Sequence, residues 1–368
     1  MGFKNNAMGN KPRGPLRRGW TTGACAAAAA KAAYAALLTG EFPDPVEIRL
    51  PKGDKPSFAL ARQSLSRDLA TAGIVKDAGD DPDVTHGALI LSHVRLLPRG
   101  AGLIFRAGTG VGIVTKPGLP IPVGEPAINP TPRQIMREAI AELAQAHGGA
   151  GDVEITVEVP NGEELARHTW NPRLGIQGGI SILGTTGVVH PYSCSAWIAS
   201  IHRGIDVCRA NGVDHAAACT GSTSEATVQR LYHLPGHALI DMGDFAGGTL
   251  KYLRRHPIPR LTIAGGFGKL SKLAGGAMDL HSGRSEVDRE QLAEVLLSLG
   301  APQSLAVAVH SANTAGEILG LAQSAGLPLG DAIAARARDQ SLTMLDGDVA
   351  VEVIVVDRAG EVVGRAGF

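Results

Sequence analysis

The sequence predicts two domains of mixed class, α/β and α+β. An N-terminal α+β domain spans residues 1–160, with a hairpin at 345–368 placed to complete it, and a C-terminal α/β domain with a mainly parallel sheet spans 161–344. At 368 residues the chain exceeds what one ordinary hydrophobic core supports. Its apolar content of 44% with only 4% aromatic residues implies cores of Ala, Val, Leu and Ile. The texture also changes near residue 160, from strand runs separated by long loops to short apolar strands alternating with helices, the pattern of a parallel sheet covered by helices.

The first element is a helix over 22–38. Arg17, Arg18, Gly19, Trp20, Thr21, Thr22, Gly23, Ala24 and Cys25 run directly into five alanines and Lys31. One reading of this start is a threonine cap on a buried alanine helix. The other is a ligand seat, because a helix N-terminus presents unpaired N–H groups and partial positive charge, and Gly23 permits close approach. Strands follow at 46–50, 88–97, 103–106 and 153–159. A helix over 131–147 has Thr131 as its expected cap, Pro132 in its first turn, and Gly148 and Gly149 as its stop. In the second domain the expected strands are 180–183, 215–219, 238–242, 260–264 and 305–309, and the helices 193–210, 224–233, 245–254, 269–275 and 288–299. The closing segments 349–357 and 361–365 read as a hairpin turning at Arg358, Ala359 and Gly360.

Ligands of parallel α/β sheets sit outside the carboxyl ends of the strands. Four glycine-bearing loops are assigned there: Gly184, Thr185, Thr186 and Gly187 with His190; Thr220 to Thr223; Asp241 to Asp244; and Gly265 to Lys269. Each alone is an ordinary tight turn, but together on one sheet edge they suit a nucleoside-type ligand. The loop from Lys76 to His86 carries Asp77, Asp80, Asp81 and Asp83, four carboxylates within seven residues. Such a loop is usually a solvated turn, although crowded like charges are also found where a cation or proton is handled. The long segment 107–133, stiffened by prolines and punctuated by glycines including Gly110, is of a length more often functional than connective.

Composition excludes several classes. Lys+Arg and Asp+Glu both number 35, so no global field draws the chain to nucleic acid or an anionic membrane. No run has the length of a membrane span and the N-terminal residues lack a secretory apolar segment, so cytoplasmic residence is expected. Cys25, Cys194, Cys208 and Cys219 are too dispersed for a disulfide framework or a zinc site, and the histidines form no H-E-x-x-H, so no metal site is expected. Ser193 and Ser195 lack a nucleophile elbow. There is no G-x-G-x-x-G or P-loop, which leaves methyltransferases, kinases and dehydrogenases open.

The Thr21-Thr22-Gly23 opening, the Gly184-Thr185-Thr186-Gly187 loop followed by His190, Pro191, Tyr192 and Ser193, and the segments 76–87, 108–133, 238–247 and 263–282 together resemble the cobalt-precorrin-5B C(1)-methyltransferases, the CbiD family of cobalamin biosynthesis. The likeness runs over nearly the whole chain, with Ala24 standing where threonine is common and residues 219–225 lacking a frequent Gly-Arg pair. It implies methyl transfer from S-adenosylmethionine to ring carbon 1 of a cobalt corrinoid precursor, giving cobalt-precorrin-6A. Cobalt would enter only as part of the substrate. The substrate's carboxylates then point to Arg17, Arg18, Lys116, Arg133 and Lys269, with Thr21, Thr22, Gly23, Asp80, Asp83 and Gly110 completing its seat. The methyl donor is assigned Thr185, Thr186, Gly187, Asp241, Gly243, Asp244, Gly265 and Gly266. A proton acceptor, if the ring system needs one, would be His190 or one of Asp80, Asp81 and Asp83, with Asp81 taken as the carboxylate of choice. A cobalt-free precorrin substrate, a non-catalytic corrinoid carrier and a small-molecule kinase are the alternatives. Transient contact with neighbouring pathway enzymes and a homo-oligomer are left open.

Overall fold

A computed structural model describes residues 14–368, which divide into two units at Ser193 and Cys194. The N-terminal unit is built on a five-stranded sheet in the order Arg62–Leu65, Leu69–Val75, Leu89–Leu96, Val153–Glu158, Leu103–Ala107, antiparallel except for the last pair. Helix Thr22–Thr39 lies on this sheet and against helix Pro130–His147. It is apolar all round and correspondingly buried, Ala24 and Ala26 to Ala30 having no exposed surface. Alanine suits that position because it lets helix and sheet approach without displaced side chains: Ser92 of the central strand donates its hydroxyl to the Ala26 carbonyl at 2.9 Å. Gly40 ends the helix in the left-handed conformation, φ 85°. The second helix starts one residue earlier than expected. Asn129 takes the cap position without a side-chain bond, and Thr131 lies inside the first turn.

Four two-stranded pairings tie the loops of this unit together. Gly19–Trp20 pairs with Val188–Val189, Gly110–Val111 with Gly179–Ile180, Ile113–Val114 with Ile176–Gln177, and Val46–Glu47 with Ser57–Phe58. Residues 161–193 therefore belong with the N-terminal unit rather than the second domain, and the strand expected at 180–183 is a short pairing inside it. Val114, Ile121, Ala127 and Ile176 form a small separate core under the long loop.

The C-terminal unit carries a sheet in the order Leu239–Asp241, His215–Cys219, Arg260–Gly266, Ala350–Val356, Val362–Ala366. The first four strands are parallel and the last is antiparallel. The closing hairpin thus completes this sheet and not that of the first domain. The reason is burial: every residue from Val351 to Val356 is inaccessible, which requires a central position. Gly330 and Gly364 let helix Leu329–Leu345 press on the hairpin, since a Cβ on Gly330 would lie 1.8 Å from the Val363 carbonyl oxygen. Residues 305–309 form part of helix Gln303–Ser311 and not a strand. A short apolar run does not discriminate the two, and Val307 at 61% exposure shows the outward face of a helix. No described helix is long and apolar enough to cross a membrane.

Candidate functional site

Strand order creates the site in the C-terminal unit. From His215–Cys219 the chain passes through helix Ser222–Tyr232 to the strand on one side, Leu239–Asp241, whereas from Arg260–Gly266 it passes eventually to Ala350–Val356 on the other. Two adjacent parallel strands whose continuations diverge leave a crevice at their carboxyl ends. Thr220 and Gly265 form its floor, where a Cβ on Gly265 would meet the Thr220 hydroxyl at 2.6 Å, while Gly266 faces open space. Helices Ser222–Tyr232, Ala246–Arg255 and Phe267–Ala274 all begin at this edge without a side-chain cap bond.

Asp241, Gly243, Asp244, Gly265, Gly266 and Lys269 are brought together here. Lys269 Nζ donates to the Thr220 carbonyl at 3.0 Å and lies 2.9 Å from Asp244 Oδ1, so it bridges the mouth of the crevice. Asp244 Oδ1 is sealed from solvent and accepts no hydrogen bond, the lysine contact being an ion pair off hydrogen-bond angle. The turn carrying both aspartates is held from outside: Trp197 donates its indole N–H to the Asp241 carbonyl at 3.2 Å and lays its ring 3.4 Å from where a Cβ of Gly243, φ 58°, would stand. Sequence patterning missed Trp197. It also missed Arg284, which pairs with Asp279 and donates to Cys194 Sγ at 3.2 Å beside the same turn, where the Leu280 N–H meets the Asp244 carbonyl at 2.8 Å. An arginine in an irregular segment carries no periodic signal.

Thr185, Thr186 and Gly187 belong to the N-terminal unit. There the turn closes on itself, the Thr186 hydroxyl accepting from the Val188 N–H at 3.2 Å, and Gly187 (φ 80°) leaves no room for a Cβ beside Leu50. This loop occupies the start of helix Thr22–Thr39. Gly23 N–H donates to the Leu183 carbonyl at 2.9 Å, the Thr22 hydroxyl accepts from Leu183 N–H at 3.0 Å, and Thr21 caps Ala24 N–H at 3.2 Å. The expected ligand seat at Thr21, Thr22 and Gly23 is thereby filled by the chain itself. Gly23 admits the Leu183 carbonyl and Pro132, which a Cβ would approach to 2.9 and 2.5 Å. Gly110 likewise serves backbone packing, its Cβ position lying 2.0 Å from the Val159 carbonyl oxygen.

The acidic loop docks on the strand Gly19–Trp20 and on the segment after Val189. Each of its carboxylates is held. Asp77 pairs with the Arg17 guanidinium and accepts from Gly79 N–H, which holds its carboxyl down at about 2. Asp80 accepts from the Arg17 N–H at 2.6 Å. Asp83 accepts from Lys76 Nζ at 2.7 Å and from both the N–H and hydroxyl of Thr85. Burial would raise the Asp83 carboxyl, but Lys76 and Thr85 bring it below its ordinary value. Asp81 accepts from Tyr192 N–H at 2.8 Å and is nevertheless raised, by burial first and by Asp83. Crowded charge is therefore tolerated by local pairing, and Asp81 differs from Asp77 and Asp83 in that burial raises its carboxyl rather than pairing lowering it.

His190 is exposed and directly follows the Val188–Val189 pairing, whose register sets Gly19 opposite Val189. Arg18, exposed, and Lys116, whose stem lies over Gly175, form no ion pair among the described residues. Arg17 and Arg133 are already engaged: Arg133 bonds the carbonyls of Ile128 and Pro126 and the carboxylate of Glu125, and covers the Phe105 ring at 5.3 Å. An open groove of about 460 Å³, lined by Lys31, Ala35, Phe42, Val46, Leu143 and His147 among others, includes none of the expected site residues. No group of three or more His, Cys, Asp or Glu among the described residues is arranged to hold a metal ion.

Taken by themselves, the C-terminal unit is a mainly parallel α/β sheet with a strand-order switch point, and the N-terminal unit an α+β scaffold bearing a charged loop cluster. The model of the CbiD family matches residues 9–191, and that of the CbiD C-terminal domain matches residues 279–367. The cobalt-precorrin-5B C(1)-methyltransferase of Paramagnetospirillum magneticum is 64% identical over 352 residues, covering 95% of this chain and 98% of that protein. The protein of the same name from Brucella anthropi is 60% identical over 357 residues, 97% of each chain. The crystal structure of the cobalamin biosynthesis protein CbiD from Archaeoglobus fulgidus aligns with 71% of this chain and 80% of its own at 28% identity and a TM-score of 0.39. The chain belongs to the CbiD family.

Proposed function

We propose that this chain is a C-methyltransferase that methylates ring carbon 1 of cobalt-precorrin-5B, with S-adenosylmethionine as donor. The observation that carries the reading is the 64% identity to a relative of that name over 95% of this chain. The switch-point crevice of the C-terminal unit suits the donor: Asp241 stands at a strand end where ribose hydroxyls are held, Gly265 and Gly266 admit close approach, and helix starts surround them. The donor supplies an electrophilic methyl group on a sulfonium, and the ring carbon displaces its thioether directly. The protein's own work is then alignment and exclusion of water, for which well-oriented binding is worth roughly 7–11 kcal/mol.

In the N-terminal unit, Arg18 and Lys116 retain charge for substrate carboxylates, whereas Arg17 and Arg133 shape the loops that present them. Asp81 is the favoured proton acceptor, since its carboxyl is raised and only one of its oxygens is engaged by Tyr192, with His190, two residues before Tyr192, as the second candidate. Cobalt belongs to the substrate and asks for no ligand set in the protein. Incubating the purified chain with methyl-labelled S-adenosylmethionine and cobalt-precorrin-5B should transfer one labelled methyl to the corrinoid. Release of unlabelled corrinoid with the donor intact would leave only binding and overturn the reading.

A further inference from the structure

We propose that the Asp244–Lys269 ion pair is the seat of the methyl donor's amino-acid tail, its α-carboxylate going to Lys269 and its α-ammonium to Asp244; this rests on the donor reading above and makes Lys269 a donor residue, not a corrinoid one. Three features of the crevice support the assignment. Lys269, its side chain 36% exposed, spans with Nζ from the Thr220 carbonyl at one strand end to Asp244 beyond the neighbouring strand, so an occupant of the crevice meets it. Asp244 Oδ1 is sealed from solvent and meets Lys269 at 2.9 Å in an ion pair that is off hydrogen-bond geometry, so its lone pairs are still available to an incoming ammonium. The charges also select the ligand class: Asp244 repels an anion bound alone and Lys269 repels a cation bound alone. A zwitterion whose two charges lie a few ångströms apart exchanges partners with the pair and leaves neither charge uncompensated. Trp197 and the Leu280 N–H fix the turn bearing Asp244, so the seat is formed beforehand and ordering it costs little on binding.

Calorimetric titration of the full chain with S-adenosylhomocysteine and with 5′-methylthioadenosine, which shares the nucleoside and thioether but lacks the tail, tests this. The unaltered chain should bind S-adenosylhomocysteine about 10- to 100-fold more tightly than methylthioadenosine, the value of charge-assisted hydrogen bonds to the tail. Lys269→Met should bring the two affinities together while leaving that for methylthioadenosine unchanged, which also shows that the crevice is folded. The double variant Lys269→Met/Asp244→Asn, which strands no charge, should behave alike. Equal affinities in the unaltered chain, or equal weakening of both ligands in both variants, overturns the assignment and leaves the donor reading standing. No binding of either ligand to the unaltered chain, with corrinoid present as well as absent, overturns the donor reading and the assignment with it.

Discussion

Removing either partner of the Lys76–Asp83 pair should destabilise the N-terminal unit, and by unequal amounts. Lys76 retains 1% of its side-chain exposure and Asp83 27%, with 2.7 Å between Nζ and Oδ2. Breaking a buried ion pair costs about 3–5 kcal/mol because the survivor is left without compensation. In Lys76→Met the survivor is a carboxylate with some water access and two hydrogen bonds from Thr85, so the loss should fall near about 3 kcal/mol. In Asp83→Asn the survivor is an ammonium with almost no water access, and the loss should approach about 5 kcal/mol. Urea unfolding followed by tryptophan fluorescence measures both. A Trp197→Phe background confines the signal to Trp20 and Trp170 of the N-terminal unit. Equal losses, or a Lys76→Met loss below about 1 kcal/mol, would show that the pair is solvated and that the burial argument is wrong.

Three further outcomes follow from the same cluster. Gly23→Ala, which inside an ordinary helix would gain roughly 0.5–1 kcal/mol, should instead cost about 1–3 kcal/mol, because the new Cβ meets Pro132 at 2.5 Å and the Leu183 oxygen at 2.9 Å; a raised melting temperature would contradict it. If Asp81 takes the proton, Asp81→Asn should lower the single-turnover methyl-transfer rate about 10²- to 10⁴-fold with corrinoid affinity held, while His190→Ala stays within a few-fold; unchanged rates in both remove acid–base chemistry from this cluster. The depressed carboxyls of Asp77, about 2, and Asp83 contribute stability that is complete above the ordinary carboxylate value near about 3.9 and is lost as the pH falls through their folded values. Asp77→Asn should therefore make the decline of stability between about pH 4 and pH 2 shallower, as urea midpoints across that range will show.

Periodic and terminal signals were legible in the sequence. The alanine run marks the first helix and Gly148 the end of the second, both set by local backbone chemistry, and the strands expected at 215–219 and 260–264 announce themselves by short apolar runs, the second extending to Gly266. Leu69–Val75 was not legible: its alanines and glycine look like neither a strand nor a helix, and it takes an inner position because small residues allow helix Thr22–Thr39 to lie close upon it. The placement of Asp241, Gly243, Asp244, Gly265 and Gly266 at the ends of two strands was readable, since each stands within or just after the last residues of Leu239–Asp241 or Arg260–Gly266. Thr185, Thr186 and Gly187 carry the same local pattern yet fold with the N-terminal unit, because a glycine turn records the path of its own backbone and not the partner it meets.

Sequence by itself determined the family, the chemical class of the chain and the ends of most elements, since these depend on motifs and on residues within a few positions of one another. Tertiary structure alone decided which strands neighbour which, and with that the switch point between His215–Cys219 and Arg260–Gly266, the filling of the Gly23 helix start by Leu183, and the pairing of Lys269 with Asp244. Those contacts join residues far apart along the chain. Their geometry arises only when buried apolar surface fixes the order of the strands, and no local pattern encodes it.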